Sequence, residues 1–158
     1  MKMAASNLKA ITLETGGKSP LLVFKDADME QAVKWAHGGI MSNQGQICSG
    51  TSRILVDKAV YQRFIDAFKS YTKETSKVGD PFAETTFQGP QISKTQYDRI
   101  MGYIDSGVRQ TCKTNGGKGY FIEPTIFCDA TRDMDIYQHE IFGPVVVISP
   151  FETEEDAH

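Results

Sequence analysis

Cys48 lies in Asn43-Gln44-Gly45-Gln46-Ile47-Cys48-Ser49-Gly50, a polar, glycine-bearing stretch between an expected helix and an expected strand. A thiolate there can act as a nucleophile, and the backbone N–H groups of such a turn can stabilise an oxyanion. A free cysteine elsewhere is commonly a small buried apolar residue, but Gln44, Gln46 and Ser49 make a poor apolar core. Glu14 follows the apolar run Leu8–Leu13 and precedes Gly16-Gly17. Read as a carboxylate at the C-terminal end of a strand, it sits where open α/β sheets place ligands, and with Cys48 it forms a nucleophile–base pair. Its competing reading is a solvated turn acid. Glu140 precedes a buried strand beside Phe142, with Gly143-Pro144 fixing the turn, and it has the same surface-acid alternative.

Other chemistries fail on spacing. Gly17-Lys18-Ser19 has the tail of a phosphate-binding loop, but Thr12 stands where the first glycine belongs, and Pro20 with a strand follows where a helix is needed. No Gly-x-Gly-x-x-Gly joins a strand to a helix. Cys48, Cys112 and Cys128 are an odd set without a Cys-x-x-Cys, and His37, His139 and His158 do not fall at zinc spacings, so no metal is expected. Unpaired cysteines fit a reducing compartment, most simply the cytoplasm. His37 reads as a surface or interfacial histidine, and His139 as a site neighbour of Glu140.

The 158 residues carry 17 Lys and Arg against 20 Asp and Glu, a net charge of −3, which argues against a nucleic-acid partner. No apolar run reaches a membrane span, and Met1–Ser6 has no apolar core of a secretory signal. The composition, 40% hydrophobic and 23% charged, is that of one globular domain.

The elements that must position these residues alternate. Leu8–Leu13 reads as a short strand, and Leu21–Phe24 as a strand buried on both faces. Asp28 and Gln31 form a capping box for a helix with Met29, Ala32, Val33, Ala36 and Ile40 inward. Arg53–Val56 is a strand, and Asp57 caps a helix with Val60, Tyr61, Phe64, Ile65 and Phe68 on its apolar side. Gly79-Asp80-Pro81 breaks that helix, and Phe82–Pro90 is irregular. Ser93 and Gln96 open a helix with Ile100, Met101 and Ile104 inward. Asn115–Gly119 is a flexible turn. Tyr120–Phe127 is extended with Pro124 marking an edge or a break, Val145–Ile148 is a buried strand, and Phe151–His158 begins a helix. This alternation predicts an α/β fold with a largely parallel open sheet and flanking helices. The interrupted last helix predicts an incomplete domain.

Three motifs carry a family resemblance. Leu13-Glu14-Thr15-Gly16-Gly17-Lys18-Ser19-Pro20 resembles the glutamate signature of the aldehyde dehydrogenase superfamily. Asn43–Cys48 resembles its cysteine signature, and Glu140-Ile141-Phe142-Gly143-Pro144 its third motif. They occur in the family's order and at about its spacing. Gly79–Phe82, Gln88–Gln91 and Gly119–Thr125 extend the likeness over essentially the whole chain, residues 1–158. The texture is closest to the fungal and general NAD-linked branch.

The resemblance implies the core of a catalytic domain that oxidises an aldehyde to a carboxylic acid with NAD or NADP. Cys48 would be the nucleophile of a thiohemiacetal and a thioester, and Glu14 the base for deacylation. Glu140 would bind the nicotinamide ribose, Phe142 would pack near the nicotinamide ring, and Gln96 would lie near a cofactor ribose. A small aldehyde is the implied partner, and the intact enzyme would be a homo-oligomer. The family's N-terminal cofactor-binding domain, its oxyanion asparagine and its C-terminal part are not in these residues, so the chain alone is expected to be inactive. Thr15 replaces the usual leucine, and Met41 stands where an aromatic or smaller aliphatic residue is more usual. Two rival readings are a truncated non-catalytic relative and a cofactor-free thiol esterase using Cys48 and Glu14.

Overall fold

Val145, Val146, Val147 and Ile148 form an unbroken apolar run, and the fold uses both of its faces. Val146 and Ile148 join a core that also holds Val33, Ala36, Ile40, Ile54, Val56, Phe64 and Phe68. Val145 and Val147 point the other way, into a second core with Ile100, Ile104, Phe127, Ile136 and Ile141. Alternating side-chain direction along a strand places the two sets on opposite faces, and a sheet covered on both faces needs apolar residues at every position.

A computed structural model describes residues 1–107 and 119–157. In chain order it contains α1 (Lys2–Ala5), β1 (Pro20–Val23), α2 (Met29–Met41), a 3-10 turn (Ser42–Gly45), β2 (Arg53–Asp57) and α3 (Tyr61–Thr75). There follow α4 (Lys94–Gly107), β3 (Thr125–Cys128), α5 (Asp135–Gln138), β4 (Val145–Phe151) and a 3-10 turn (Glu155–Ala157). The sheet order is β1-β2-β4-β3, and every pair is parallel. Helices α2 and α3 cover one face, and α4 and α5 the other. This is the parallel α/β architecture that the alternation predicts.

Local chemistry sets the helix starts. Asp28 caps α2, its Oδ1 accepting from the Gln31 N–H at 2.9 Å. Ser93 Oγ accepts from the Gln96 N–H at 3.2 Å at the start of α4, but the Gln96 side chain does not complete a box; it reaches across to Ile141 and Phe142. Asp57 does not cap α3. It ends β2, its Oδ1 accepts from the Ala59 N–H at 2.9 Å, and the helix begins at Tyr61. A turn between strand and helix absorbs the carboxylate before the helix can use it.

Other expectations are corrected. Leu8–Leu13 is not a strand; it runs exposed and pairs with none of the four strands, and Leu8 has φ 55°. An apolar run becomes a strand only where a neighbour offers a ladder. β1 is an edge strand, half-buried rather than covered on both faces, and Phe24 lies beyond it with its ring against Phe151 at 5.5 Å. The final segment makes a short 3-10 turn, with Thr153 N donating to Asp156 Oδ2 and Asp156 N to Thr153 Oγ1. The predicted turn at Asn115–Gly119 and Cys112 lie outside the described residues, apart from Gly119.

His37 is not a surface residue. It is 2% exposed, its Nε2 lies 2.7 Å from Ser76 Oγ, and its ring packs against Tyr71 and Phe87, each at 5.1 Å between centroids. Burial lowers its pKa below the ordinary 6.5. The unfolded chain therefore takes up a proton that the folded chain resists. The stability this neutral ring contributes is full above about pH 6.5 and is lost as the pH falls below it. Denaturant midpoints at pH 8 and pH 5.5 are expected to fall on acidification, and His37→Gln is expected to flatten that fall. An unchanged slope in the variant would assign the acid sensitivity to other groups.

Candidate active site

Three parallel strands lie side by side, and each is entered through one of the motif loops. Leu13–Ser19 leads into β1, Asn43–Gly50 leads toward β2, and Glu140–Pro144 leads into β4. The order β1-β2-β4 therefore brings the three loops to one edge of the sheet. That edge is the N-terminal one. The expectation that Glu14 follows a strand and sits at its C-terminal end is thus corrected; the local run gave no sign that the ladder starts only at Pro20.

The loops interlock through glycine. Gly45 has φ 71°, and a Cβ there would overlap the Gly143 carbonyl and lie 2.8 Å from Pro144 N. Gly16 has φ 72°, and its Cα lies so close to the Glu140 carboxylate that a Cβ would overlap Oε2. Gly17, Gly45, Ile47, Glu140, Phe142 and Gly143 share the walls of one narrow crevice. A larger cavity of about 560 Å³, walled by Lys69, Cys128, Asp129 and Met134 among others, shares no residue with these loops.

Both turns hold non-glycine residues in the left-handed region. Asn43 and Gln44 have φ 49° and 56°, and Phe142 has φ 62°. Each costs of order 1–3 kcal/mol and persists only where the surroundings fix it. At Phe142 the fixing group is visible: Gln96 Nε2 donates to the Phe142 carbonyl at 2.9 Å and to the Ile141 carbonyl at 3.3 Å. Arg99 Nη2 donates to the Glu140 carbonyl at 2.9 Å.

Cys48 is exposed. It sits in a turn closed by Gly50 N–H donating to the Ile47 carbonyl at 2.9 Å, and Thr51 N–H ties that turn to the Gly39 carbonyl of α2 at 3.0 Å. The Cys48 N–H makes no hydrogen bond among the described residues, so it is an available donor. Glu14 is exposed, as is the whole run from Lys9 to Gly17. The structure brings Glu140, Phe142 and the cysteine turn together, with Gln96 behind them. The Cys48 and Glu14 side chains stand outside the crevice walls, open to solvent.

Lys18, part of the glutamate-signature loop, turns inward in this region. Its Nζ is buried without a hydrogen-bond partner among the described residues. Burial, then repulsion from Arg53, pushes its pKa down to about 8, against the attraction of Glu140. Gln88 and Gln91 were missed as site-building residues. They are 0% and 2% exposed, and the irregular Gly-Pro context around them gave no pattern to reveal it. Among the described residues no cluster of three or more His, Cys, Asp or Glu could hold a metal ion, and no helix is long and apolar enough to cross a membrane.

The fold is a parallel α/β sheet with helices on both faces, and its strand-entry loops bring a cysteine turn and a glutamate turn to one edge. The aldehyde dehydrogenase family model matches residues 1–158, and the chain belongs to that family. It is 55% identical over 163 residues to an aldehyde dehydrogenase of Alternaria alternata, a match covering 99% of this chain and 33% of that one. It is 48% identical over 164 residues to the aldehyde dehydrogenase [NAD(P)+] 2 of Saccharomyces cerevisiae, covering 96% of this chain and 32% of that one. The NAD+ complex of an aldehyde dehydrogenase from Bacillus cereus superposes with a TM-score of 0.90 at 40% identity, covering 99% of this chain and 33% of that one. The chain spans about a third of the length of the relatives it matches.

Proposed function

We propose that this chain is the core of the catalytic domain of an NAD(P)+-dependent aldehyde dehydrogenase, and that Cys48 and Glu14 do the covalent and acid–base work in the full-length enzyme. The observation that carries the reading is the convergence of three motif loops at one sheet edge, interlocked at Gly45 and Gly143. Relatives with NAD+ or NAD(P)+ in their descriptions support the cofactor class.

Cys48, as thiolate, adds to the carbonyl carbon of a small aldehyde to form a thiohemiacetal. Its own free N–H donates to the oxygen as negative charge develops there. The nicotinamide cofactor, when bound, supplies a hydride acceptor. With hydride taken up by that cofactor, Cys48 would hold the acyl group as a thioester. Glu14 takes a proton from water, the water oxygen attacks the thioester carbonyl, and the carboxylic acid leaves as the thiolate is restored.

The residues present fit a ribose-binding role. The Glu140 carboxylate is half-buried at the crevice wall, has room only because Gly16 carries no side chain, and accepts no hydrogen bond among the described residues. Glu140 would hold ribose hydroxyls, with Phe142 beside the nicotinamide and Gln96 near a cofactor ribose while its amide holds the Ile141 and Phe142 carbonyls. The cofactor's main binding domain and the contacts of a homo-oligomer would come from the remainder of the enzyme. Exposed Trp35, Phe82 and Ile92, at 71%, 95% and 82%, fit that assignment. A thiolate nucleophile fits a reducing, cytoplasmic setting.

Competitive alkylation of the full chain with iodoacetamide, followed by peptide mapping, tests the reading. Cys48 is expected to label ahead of Cys112 and Cys128. Equal labelling would count against a prepared nucleophile and favour a non-catalytic relative.

A further inference from the structure

The left-handed run Asn43-Gln44-Gly45, which sets the direction of the chain toward Cys48, is held from a stretch far along the sequence. Gln88 Nε2 donates to the Met41 carbonyl at 2.9 Å. Gln91 Nε2 donates to the Gln44 carbonyl at 3.4 Å. The Ile92 N–H donates to Gln46 Oε1 at 3.1 Å. With its amide oriented to match its neighbours, Gln44 accepts from the Gly89 N–H at 3.0 Å. The same stretch continues into α4, where Gln96 grips the Ile141 and Phe142 carbonyls. Gln91 is itself anchored, its N–H donating to the Tyr120 carbonyl at 2.8 Å.

Buried glutamine amides cost free energy unless they do something with their polar atoms. The Oε1 atoms of Gln88 and Gln91 have no partner among the described residues, so neither side chain is there for full hydrogen-bond satisfaction. What both accomplish is the fixing of a backbone carbonyl at the cysteine turn. A stretch that grips both the cysteine turn and the Glu140 turn, which already touch at Gly45 and Gly143, fixes the two loops relative to each other.

We propose that Gln88, Gln91 and Gln96 form a positioning brace that sets the cysteine loop and the Glu140 loop in one fixed relation. None of the three touches the reacting atoms through this contact. They act through the backbone of Met41–Gln46 and of Ile141–Phe142. The proposal rests on the reading of Cys48 as nucleophile for its purpose, but not for its geometry.

The test uses Gln91→Met and Gln88→Met in the full chain, replacements close in volume that lack the amide donor. Hydrogen exchange at the Gln46 amide, which donates to the Asn43 carbonyl at 3.0 Å, reports the brace independently of thiol chemistry. Exchange there is expected to accelerate about fivefold, the factor that one buried hydrogen bond is worth. The amides of β4 should stay unchanged. The pH profile of Cys48 alkylation is expected to move in the same variants while that of Cys128 does not. If the folded variants keep wild-type exchange at the Gln46 amide, the brace is overturned. If exchange accelerates in the variants but wild-type Cys48 is no more reactive than Cys128, the brace stands and the nucleophile reading falls.

Discussion

Replacing Cys48 by serine in the full-length enzyme is expected to cut aldehyde oxidation by about 10⁴-fold or more, the scale of losing a covalent nucleophile. The thiolate forms and breaks the bond to substrate, and a serine hydroxyl has no base among the described residues positioned to activate it. Because Cys48 is exposed at a turn, the substitution should change stability by no more than about 0.5 kcal/mol. Aldehyde-dependent absorbance of the reduced cofactor gives the rate, and thermal unfolding shows that the fold is intact. Glu14→Gln separates the two half-reactions: thioester formation should survive, while turnover falls by about 10²–10⁴-fold. A Cys48→Ser enzyme with near-normal turnover would move the nucleophile to another residue.

Gly45→Ala should be the most damaging of the glycine-to-alanine changes among the described residues. The position needs φ 71°, which costs a residue with a Cβ about 1–2 kcal/mol. The new carbon would also overlap the Gly143 carbonyl, which is backbone and cannot rotate away. Gly143 in turn packs against the Ile100 side chain, with a Cβ there 2.6 Å from Cδ1, so the loop has no room to retreat. Overpacking of this kind adds about 1–3 kcal/mol. The sum is a large share of the roughly 5–15 kcal/mol that holds a typical domain together, and it should lower Tm by about 10 °C. Gly38→Ala is the control. It lies in α2 with nothing within 4 Å of a Cβ, and should stabilise by roughly 0.5–1 kcal/mol through helix propensity. If Gly45→Ala unfolds at the wild-type temperature, the two loops do not meet as described.

Much of the scaffold was legible from pattern alone. The apolar run at Val145–Ile148, the helical spacing of Val33, Ala36 and Ile40, and Asp28 and Ser93 as caps are all local signals. Local propensity and periodicity act within a few residues, so these elements are visible without knowing their neighbours. The motif loops around Cys48 and Glu140 were legible for the same reason: their glycines mark places where the backbone must bend tightly.

Other features were written in no local pattern. Leu8–Leu13 looked like a strand but has no ladder, because pairing depends on which strand lies alongside. Glu14 was expected after a strand and instead precedes one. His37 looked like a surface or interfacial residue on an amphipathic helix and is buried under Tyr71 and Phe87.

The sequence by itself determined the alternation of strands and helices, the thiol at a polar turn, and the carboxylates beside glycines. Only the tertiary structure decided that β1, β2 and β4 stand side by side, which gathers three distant loops at one sheet edge. It also decided that Gln88, Gln91 and Gln96 reach the loops that carry the chemistry. The reason is physical: strand order and buried amide contacts join residues far apart in the chain, and their free energy exists only once both partners are in place.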